Sequence, residues 1–189
     1  EQSKGIHLAS NEYKPEFQQQ TVDGNAVTNA DELYAAAEIA APIYQEIIDD
    51  LVKQIKEFLP EQLQDDIYVE YAPLKGKERA TEKAKDDYNT RVPPTGISWL
   101  YDIVRGSICC GHSEQITKCL ELIQNDPRIF IVKAKNRSRN PTLTGYRDMN
   151  IAFQIDTGQG FRHICGFQIH HSSSSAFSLT FDSHKHYEY

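Results

Sequence analysis

The order of the periodic segments along the chain constrains its fold more than any other feature. Three strand patterns follow one another over residues 128–171 ("RIFIVKAKNR", "YRDMNIAFQI" and "FRHICGFQIHH"), and two earlier strand patterns alternate with helical ones. Helices interleaved with strands predict crossovers, whereas successive strands joined by short turns predict antiparallel pairs. We therefore expect an α+β domain with a mixed β-sheet, its helices mostly on one face and a cleft on the other.

A long helical pattern precedes the sheet. Over residues 29–60 apolar side chains recur three or four positions apart, which predicts a long amphipathic helix, or a pair of helices, that packs on the domain. Pro42 is expected to kink or divide this helix, and Pro60 to end it. Residues 1–28 are polar, Gln-rich and aperiodic, so we expect them to form a flexible arm.

Charge and cysteine usage narrow the function classes. The net charge of the 189-residue chain is −7, which argues against binding duplex DNA, because phosphate contacts need a basic surface. Two basic clusters, within residues 75–85 and 133–139, are either solvated faces or local anion sites for a nucleotide. The four cysteines form no CxxC pair and are expected to be buried free thiols, which favours a reducing, cytoplasmic compartment. No apolar run reaches membrane-spanning length.

Asp102 is the first candidate for chemistry. It stands in "WLYDIVRGSICC", residues 99–110, a mostly apolar stretch that predicts a central strand. A carboxylate in such a strand must be paired or must bind a cation. The alternatives are a Mg²⁺ site shared with nucleotide phosphates and a buried ion pair with an arginine from elsewhere in the chain.

Two other stretches carry groups suited to a nucleotide. In "KERATEKA", Lys77, Arg79 and Lys83 lie on a predicted helix. Such cations can straddle a triphosphate, or they can belong to an ordinary salt-bridged surface helix. In "GYRD", Tyr146 follows a glycine at a strand start, where its ring can stack on a base or pack in the core.

Taken in order, these motifs resemble those of one family. "KERATEKA", "YDIVRGSI", "NPTLTGYRDMNIAF", "HICGFQIHH" and "SHKHYEY" are together similar to the RelA/SpoT-type nucleotide pyrophosphokinase domain, and we assign residues 61–189 to it. The resemblance implies a nucleotidyltransferase-like fold, a mixed sheet flanked by helices. It also implies transfer of the β,γ-pyrophosphate of ATP, with Mg²⁺ as cofactor, to the ribose 3′-OH of GDP or GTP, which makes the alarmone (p)ppGpp. Some relatives use adenosine nucleotides or the tRNA 3′ end as acceptor.

The resemblance further implies roles for particular residues. The donor-nucleotide site is assigned to Lys77, Arg79, Lys83 and Arg105, the metal site to Asp102, and the catalytic strand to Gly166 and Gln168. The acceptor site is assigned to Tyr146, Arg147, Asn150 and His170. Within this set, Tyr146 matches the tyrosine that stacks on the acceptor base.

The sequence departs from the family pattern at three positions. The catalytic Glu of the family's Glu-x-Gln strand falls on Gly166, and the His of its GYR-x-x-His motif falls on Asn150. An arginine of the family falls on Ser107, where Arg105 can partly substitute. The first departure is the most serious, because Gly166 supplies neither a base nor a metal ligand. General-base catalysis alone contributes about 10²- to 10⁴-fold in rate.

Three functions are compatible with this pattern. The first is a pyrophosphokinase impaired by Gly166, with His170 or Asp148 as a candidate substitute base. The second is a catalytically inactive nucleotide-binding pseudoenzyme. The third is a partner-binding domain, such as an effector or toxin fragment, that uses the long N-terminal helix. The expected compartment is the cytoplasm, or a cytoplasm reached by a secreted effector, while the acceptor and the oligomeric state are left open.

Overall fold

A computed structural model describes residues 15–88, 96–137 and 148–172, which fold into a five-stranded sheet with three α-helices. The helices are α1 (Ala30–Phe58), α2 (Lys77–Tyr88) and α3 (Ser113–Asn125), and the strands are β1 (Ile67–Tyr71), β2 (Arg105–Cys110), β3 (Ile129–Asn136), β4 (Met149–Asp156) and β5 (Arg162–His171). Short 3₁₀ turns occupy Pro15–Phe17, Glu61–Leu63 and Gly96–Trp99. None of the helices in the described ranges combines the length and apolarity needed to cross a membrane.

The sheet is mixed, as the element order predicts. Its strands lie in the order β1-β2-β5-β4-β3. The pair β2–β5 is parallel, and the other three pairs are antiparallel. The predicted α+β class with a mixed sheet flanked by helices is therefore confirmed.

The two faces of the sheet differ in character. One face packs against α1 and α3 and forms the main core, which includes Ile108, Phe153 and Phe167. Because side chains alternate along a strand, the intervening residues point to the opposite face. That second face carries a small apolar cluster at Ala152 and Ile164. It also carries polar residues that are partly or fully exposed, among them Glu70, Ser107, Asn150 and Gln168, while His170 and Gln154 on the same face are buried. We call it the open face.

Helix α1 is continuous over 29 residues. Asn29 caps its start by accepting a hydrogen bond from the Glu32 amide at 3.0 Å, and the Glu32 carboxylate reaches back to the Thr28 amide. Pro42 lies inside the helix, so of the two expectations, a kink or a division, the division does not occur. The helix ends at Phe58, two residues before Pro60, as predicted.

The segment around Asp102 is not a strand, which corrects the sequence-based assignment. Residues 96–99 form a 3₁₀ turn, residues 100–104 are irregular, and β2 begins only at Arg105. Leu100 and Ile103 are nevertheless fully buried. The apolar run therefore reflects burial in the core rather than strand pairing. Asp102 lies on a buried irregular segment just before β2.

The segment before α1 also differs from its prediction over its described part. A flexible arm was predicted over residues 1–28, but residues 16–28 are not flexible in this sense, because Gln19 and Val27 are fully buried. Phe17 stacks at a tilt against Phe130 on β3, with ring centroids 5.9 Å apart. Hydrogen bonds from Gln19 to the backbone of Leu100 and Ile164 hold this segment on the sheet.

Candidate functional site

The open face of the sheet presents a polar row that crosses all five strands. Directly paired residues in neighbouring strands share a face, and the row runs in the order Glu70, Ser107, Gln168, Asn150 and Lys135. A second row, one step along the strands, contains Arg105, Gly166, Ala152 and Lys133. The predicted catalytic strand and the predicted acceptor residue Asn150 are therefore brought side by side.

A basic groove opens beside this face. It has a volume of about 370 Å³, and its lining residues are Lys75, Gly76, Arg79, Glu82, Lys83, Asp86, Asp87 and Arg105. Four of these side chains are cationic, and they come from the segment before α2, from α2 itself and from the start of β2. Arg79 and Lys83 are four residues apart and share one helix face. Three lining residues are acidic (Glu82, Asp86 and Asp87), so four cations less three carboxylates leave the lining with a net charge of +1.

Asp102 is held by two of the lysines that line this groove. Its Oδ2 accepts hydrogen bonds from Lys75 Nζ at 2.8 Å and from Lys83 Nζ at 2.7 Å. Burial alone would raise the pKa of Asp102, but the charges and hydrogen bonds of Lys83 and Lys75 outweigh it and lower that pKa below its ordinary value. Burial lowers the pKa of Lys75 despite its bond to Asp102. The second oxygen, Oδ1, is buried without a hydrogen-bond partner within the described part of the chain.

Gly166 lies directly beside Asp102. A Cβ added at Gly166 would come within 3.7 Å of the Asp102 Cα and 3.7 Å of the Arg105 Cβ. It would also approach the Tyr101 carbonyl oxygen to 3.2 Å, so a side chain fits only if this backbone gives by a few tenths of an ångström. Any carboxylate at position 166 would therefore project next to Asp102, on the open face.

Lys77 lies apart from the other predicted donor residues. Its Nζ pairs with Asp31 Oδ1 at 2.9 Å and lies 5.3 Å above the centre of the Tyr34 ring, both on α1. Because Lys77 and Arg79 are two residues apart, they point to nearly opposite sides of α2. The groove instead receives Lys75, which the sequence reasoning did not select. Its signal was available in the basic cluster at residues 75–85.

The far end of the open face holds a second set of polar side chains. His170 is only 3% exposed, and burial lowers its pKa to about 4. Asp148, which immediately precedes β4, is 1% exposed and lies 3.5 Å from Arg137 Nη1. Burial raises the pKa of Asp148 against the opposing charge of Arg137. His170 and Gly166 share a face, but His170 lies two rows from Gly166 along β5.

Two of the predicted acceptor residues, Tyr146 and Arg147, lie outside the described residues. Among residues 15–88, 96–137 and 148–172, no group of three or more His, Cys, Asp or Glu side chains is placed to hold a metal ion by itself. Glu70, in the polar row, is a further carboxylate on the open face that sequence reasoning did not select. It is exposed and lies two strands away from β5.

Comparisons with known proteins agree with this architecture. No family model matches the chain, and no curated protein matches it in sequence. Solved structures do match. A GTP pyrophosphokinase family protein from Streptococcus pneumoniae superposes with a TM-score of 0.61 at 17% identity, covering 81% of this chain and 74% of that one.

Small alarmone synthetase 1 from Bacillus subtilis matches in two complexes. Bound to its product pppGpp, it gives a TM-score of 0.64 at 15% identity over 81% of this chain and 77% of that one. Bound to AMPCPP, it gives 0.50 at 20% identity over 78% and 75%. The chain thus has the fold of the pyrophosphokinase and alarmone synthetase structures.

Proposed function

We propose that the chain is a nucleotide-binding domain of the RelA/SpoT pyrophosphokinase type, with ATP as its donor ligand and pyrophosphate transfer impaired at Gly166. One observation carries the proposal: the basic groove, Asp102 and Gly166 meet at one place on the alarmone synthetase fold. Each feature has an ordinary structural explanation by itself. Because all three features lie together on this fold, and their motifs follow the family's order along the chain, we favour the functional explanation.

The groove suits the polyphosphate of ATP. Lys75, Lys83, Arg79 and Arg105 surround a space large enough for a triphosphate, and an arginine can hold two phosphate oxygens at once. Lys75 and Lys83 both contact Asp102. The lysines therefore have a carboxylate that holds them in place and that phosphate oxygens can replace.

Asp102 also fits a magnesium site that is shared with the nucleotide. Magnesium in such sites rests on one or two protein carboxylates plus substrate phosphates, and Asp102 Oδ1 is a buried oxygen without a hydrogen-bond partner in the described chain. The ion, when bound, would neutralise charge that develops on the phosphates. Gly166 adds no second carboxylate.

Pyrophosphate transfer requires an attacking hydroxyl that loses its proton. A bond forms between the ribose 3′ oxygen and Pβ of ATP, the bond between Pβ and the oxygen bridging to Pα breaks, AMP leaves, and the hydroxyl proton passes to a base. Gly166 provides no base beside Asp102, and Gln168 and Asn150 are neutral. We therefore expect transfer at a rate about 10²- to 10⁴-fold below that of a carboxylate-bearing variant. The acceptor is a guanine nucleotide, or alternatively an adenine nucleotide or a tRNA end.

The test compares the parent with Gly166→Glu in a thin-layer assay of labelled ATP with GTP, GDP, AMP or deacylated tRNA. Gly166→Gln has the same size without the charge, and Gly166→Ala reports the cost of the tight approach to the Tyr101 carbonyl. Product from Gly166→Glu, with little from the parent and the two controls, supports the proposal. No product with any acceptor from either the parent or Gly166→Glu contradicts the catalytic part.

The second candidate is a nucleotide-binding protein without catalysis, and the glycine at position 166 is the observation that favours it. This candidate predicts that ATP or GTP binds in calorimetry, while Gly166→Glu gains no turnover. The partner-binding alternative based on the N-terminal helix receives less support, because the apolar side of α1 is buried against the sheet and α3. A nucleotide-dependent activity would operate in a cytoplasm, either that of the source cell or one reached by a secreted effector.

A further inference from the structure

Gln19 is a fully buried polar side chain in the segment before α1. Its amide nitrogen donates to the Leu100 carbonyl at 2.8 Å and to the Ile164 carbonyl at 2.7 Å. Its amide oxygen accepts from the Ile164 N–H at 2.9 Å. Both N–H donors and the oxygen are therefore used, as burial of an amide requires.

These bonds lie where the sheet is interrupted. Strand β2 begins at Arg105, opposite Gly166, and the Gly166 N–H donates to the Val104 carbonyl at 2.9 Å. Ile164 lies two residues earlier on β5. Because backbone N–H and C=O groups point in the same direction at every second residue of a strand, those of Ile164 also point towards the β2 side of β5. None of the described strands lies there to pair with them. The side-chain amide of Gln19 bonds both the N–H and the carbonyl of Ile164, and it also donates to the Leu100 carbonyl.

The link joins the two segments that build the site. Leu100 is two residues before Asp102, and Ile164 is two residues before Gly166. The intervening residues 100–104 are irregular, so no ladder of their own holds them against β5. Three further hydrogen bonds hold the same segment. The Val104 carbonyl accepts from the Gly166 N–H at 2.9 Å, the Ile103 carbonyl accepts from the Lys75 N–H at 3.3 Å, and the Tyr101 hydroxyl donates to the Phe17 carbonyl at 2.6 Å.

We propose that Gln19 is a positioning residue: its amide holds the Asp102 segment against β5 and so sets where the Asp102 carboxylate lies relative to position 166 and to the two lysines. The role in nucleotide binding rests on the proposed function. The role in placing the segment does not.

Gln115 provides a matched control. It is also fully buried, and its amide nitrogen donates to the carbonyls of Leu63 at 2.6 Å and Asp65 at 2.9 Å. Its oxygen accepts from the His112 N–H at 3.2 Å. Gln115 therefore makes the same three kinds of hydrogen bond as Gln19, but at the start of α3 and away from the groove. Methionine has nearly the same length without these bonds, so Gln19→Met and Gln115→Met remove equivalent groups at two places.

The experiment measures amide hydrogen exchange by NMR in the parent and both variants, at denaturant concentrations that equalise global stability. The reporters are the Gly166 and Lys75 amide protons, whose acceptors lie in the Asp102 segment. Gln19→Met should speed their exchange by about tenfold or more relative to Gln115→Met, as expected for loss of a hydrogen bond. In calorimetry, Gln19→Met should also weaken binding of α,β-methylene ATP with Mg²⁺ by about tenfold, whereas Gln115→Met should bind like the parent.

Equal exchange at Gly166 and Lys75 in the two variants overturns the proposal. If the parent itself does not bind the ATP analogue, the proposed function fails, and the exchange comparison still decides the role of Gln19. Gln19→Asn, which keeps the amide but is one methylene shorter, serves as a second variant. Loss of folding in both Gln19 variants while Gln115→Met folds also overturns the proposal, because Gln19 would then act on the whole fold.

Discussion

His163 makes a sharp prediction about stability at mildly acidic pH. It is fully buried on β5, neither ring nitrogen has a hydrogen-bond partner among the described residues, and burial lowers its pKa to about 3. In the unfolded chain its pKa returns to about 6.5. The unfolded state therefore gains a proton below pH 6.5 that the folded state does not accept, and stability falls as the pH drops towards 3.

The size of the effect follows from these two pKa values. At pH 5.0 the unfolded state is stabilised by a factor of about 30, or about 2 kcal/mol, while at pH 7.5 the effect is close to zero. Other groups also titrate in this range, and Asp148, whose pKa is raised, acts in the opposite direction. The informative quantity is therefore the difference between the parent and His163→Leu.

The assay is urea unfolding at pH 7.5 and pH 5.0, followed by the fluorescence of Trp99, the single and buried tryptophan. The parent should lose about 2 kcal/mol more than His163→Leu between the two pH values. A change in packing caused by leucine affects both pH values alike and cancels. If the parent and His163→Leu lose the same free energy of unfolding, within about 0.5 kcal/mol, the buried neutral state of His163 is refuted.

Three further outcomes are expected from the groove and from α1. Asp102→Asn removes the negative charge that faces the phosphates, so tripolyphosphate without metal should bind more tightly to the variant than to the parent. Added Mg²⁺ should then no longer increase the affinity. If calorimetry shows the same Mg²⁺ dependence in the variant as in the parent, Asp102 does not bind the metal. Lys83→Gln should weaken ATP binding by about tenfold, whereas Lys77→Gln, whose ammonium group pairs with α1, should change it less than about twofold. Equal losses would place Lys77 in the groove after all. Asn29→Ala should lower the free energy of unfolding by about 1 kcal/mol in urea, and no loss would show that the cap is dispensable.

The sequence predicted those parts of the fold that depend on local periodicity. The face of α1, the alternation of β5 and the final run of strands all express spacings of three to four or of two residues, which neighbouring positions alone determine. Asp102 was selected for a similar reason, since a carboxylate in an apolar run is unusual wherever it occurs. Arg79 and Lys83, four residues apart on one helix face, were also placed together correctly in space.

The rest depends on distance in space rather than along the chain. Residues 100–104 are mostly apolar because the segment is buried, and a central strand is apolar for the same reason. Composition therefore cannot distinguish a buried irregular segment from a central strand. Lys77 faces α1, whereas Lys75 faces the groove. The packing of α2 on α1 decides this difference, and nothing in the local sequence expresses it. Gln19 stands in a polar, Gln-rich stretch, and its partner Ile164 is 145 residues away, so no local pattern marks it as a structural residue.

The strand order has a consequence for biosynthesis. Strand β5, the last described strand to leave the ribosome, lies in the centre of the sheet and is the sole bridge between β1–β2 and β4–β3 among the described strands. Until residues 162–171 are synthesised, the two outer pairs have exposed edges that face each other without a partner. Such late, long-range pairing slows folding and prolongs the exposure of strand edges that promote aggregation. Nascent chains that stop before β5 should therefore depend on chaperones, and the groove, Asp102 and position 166 can come together only after β5 has been translated.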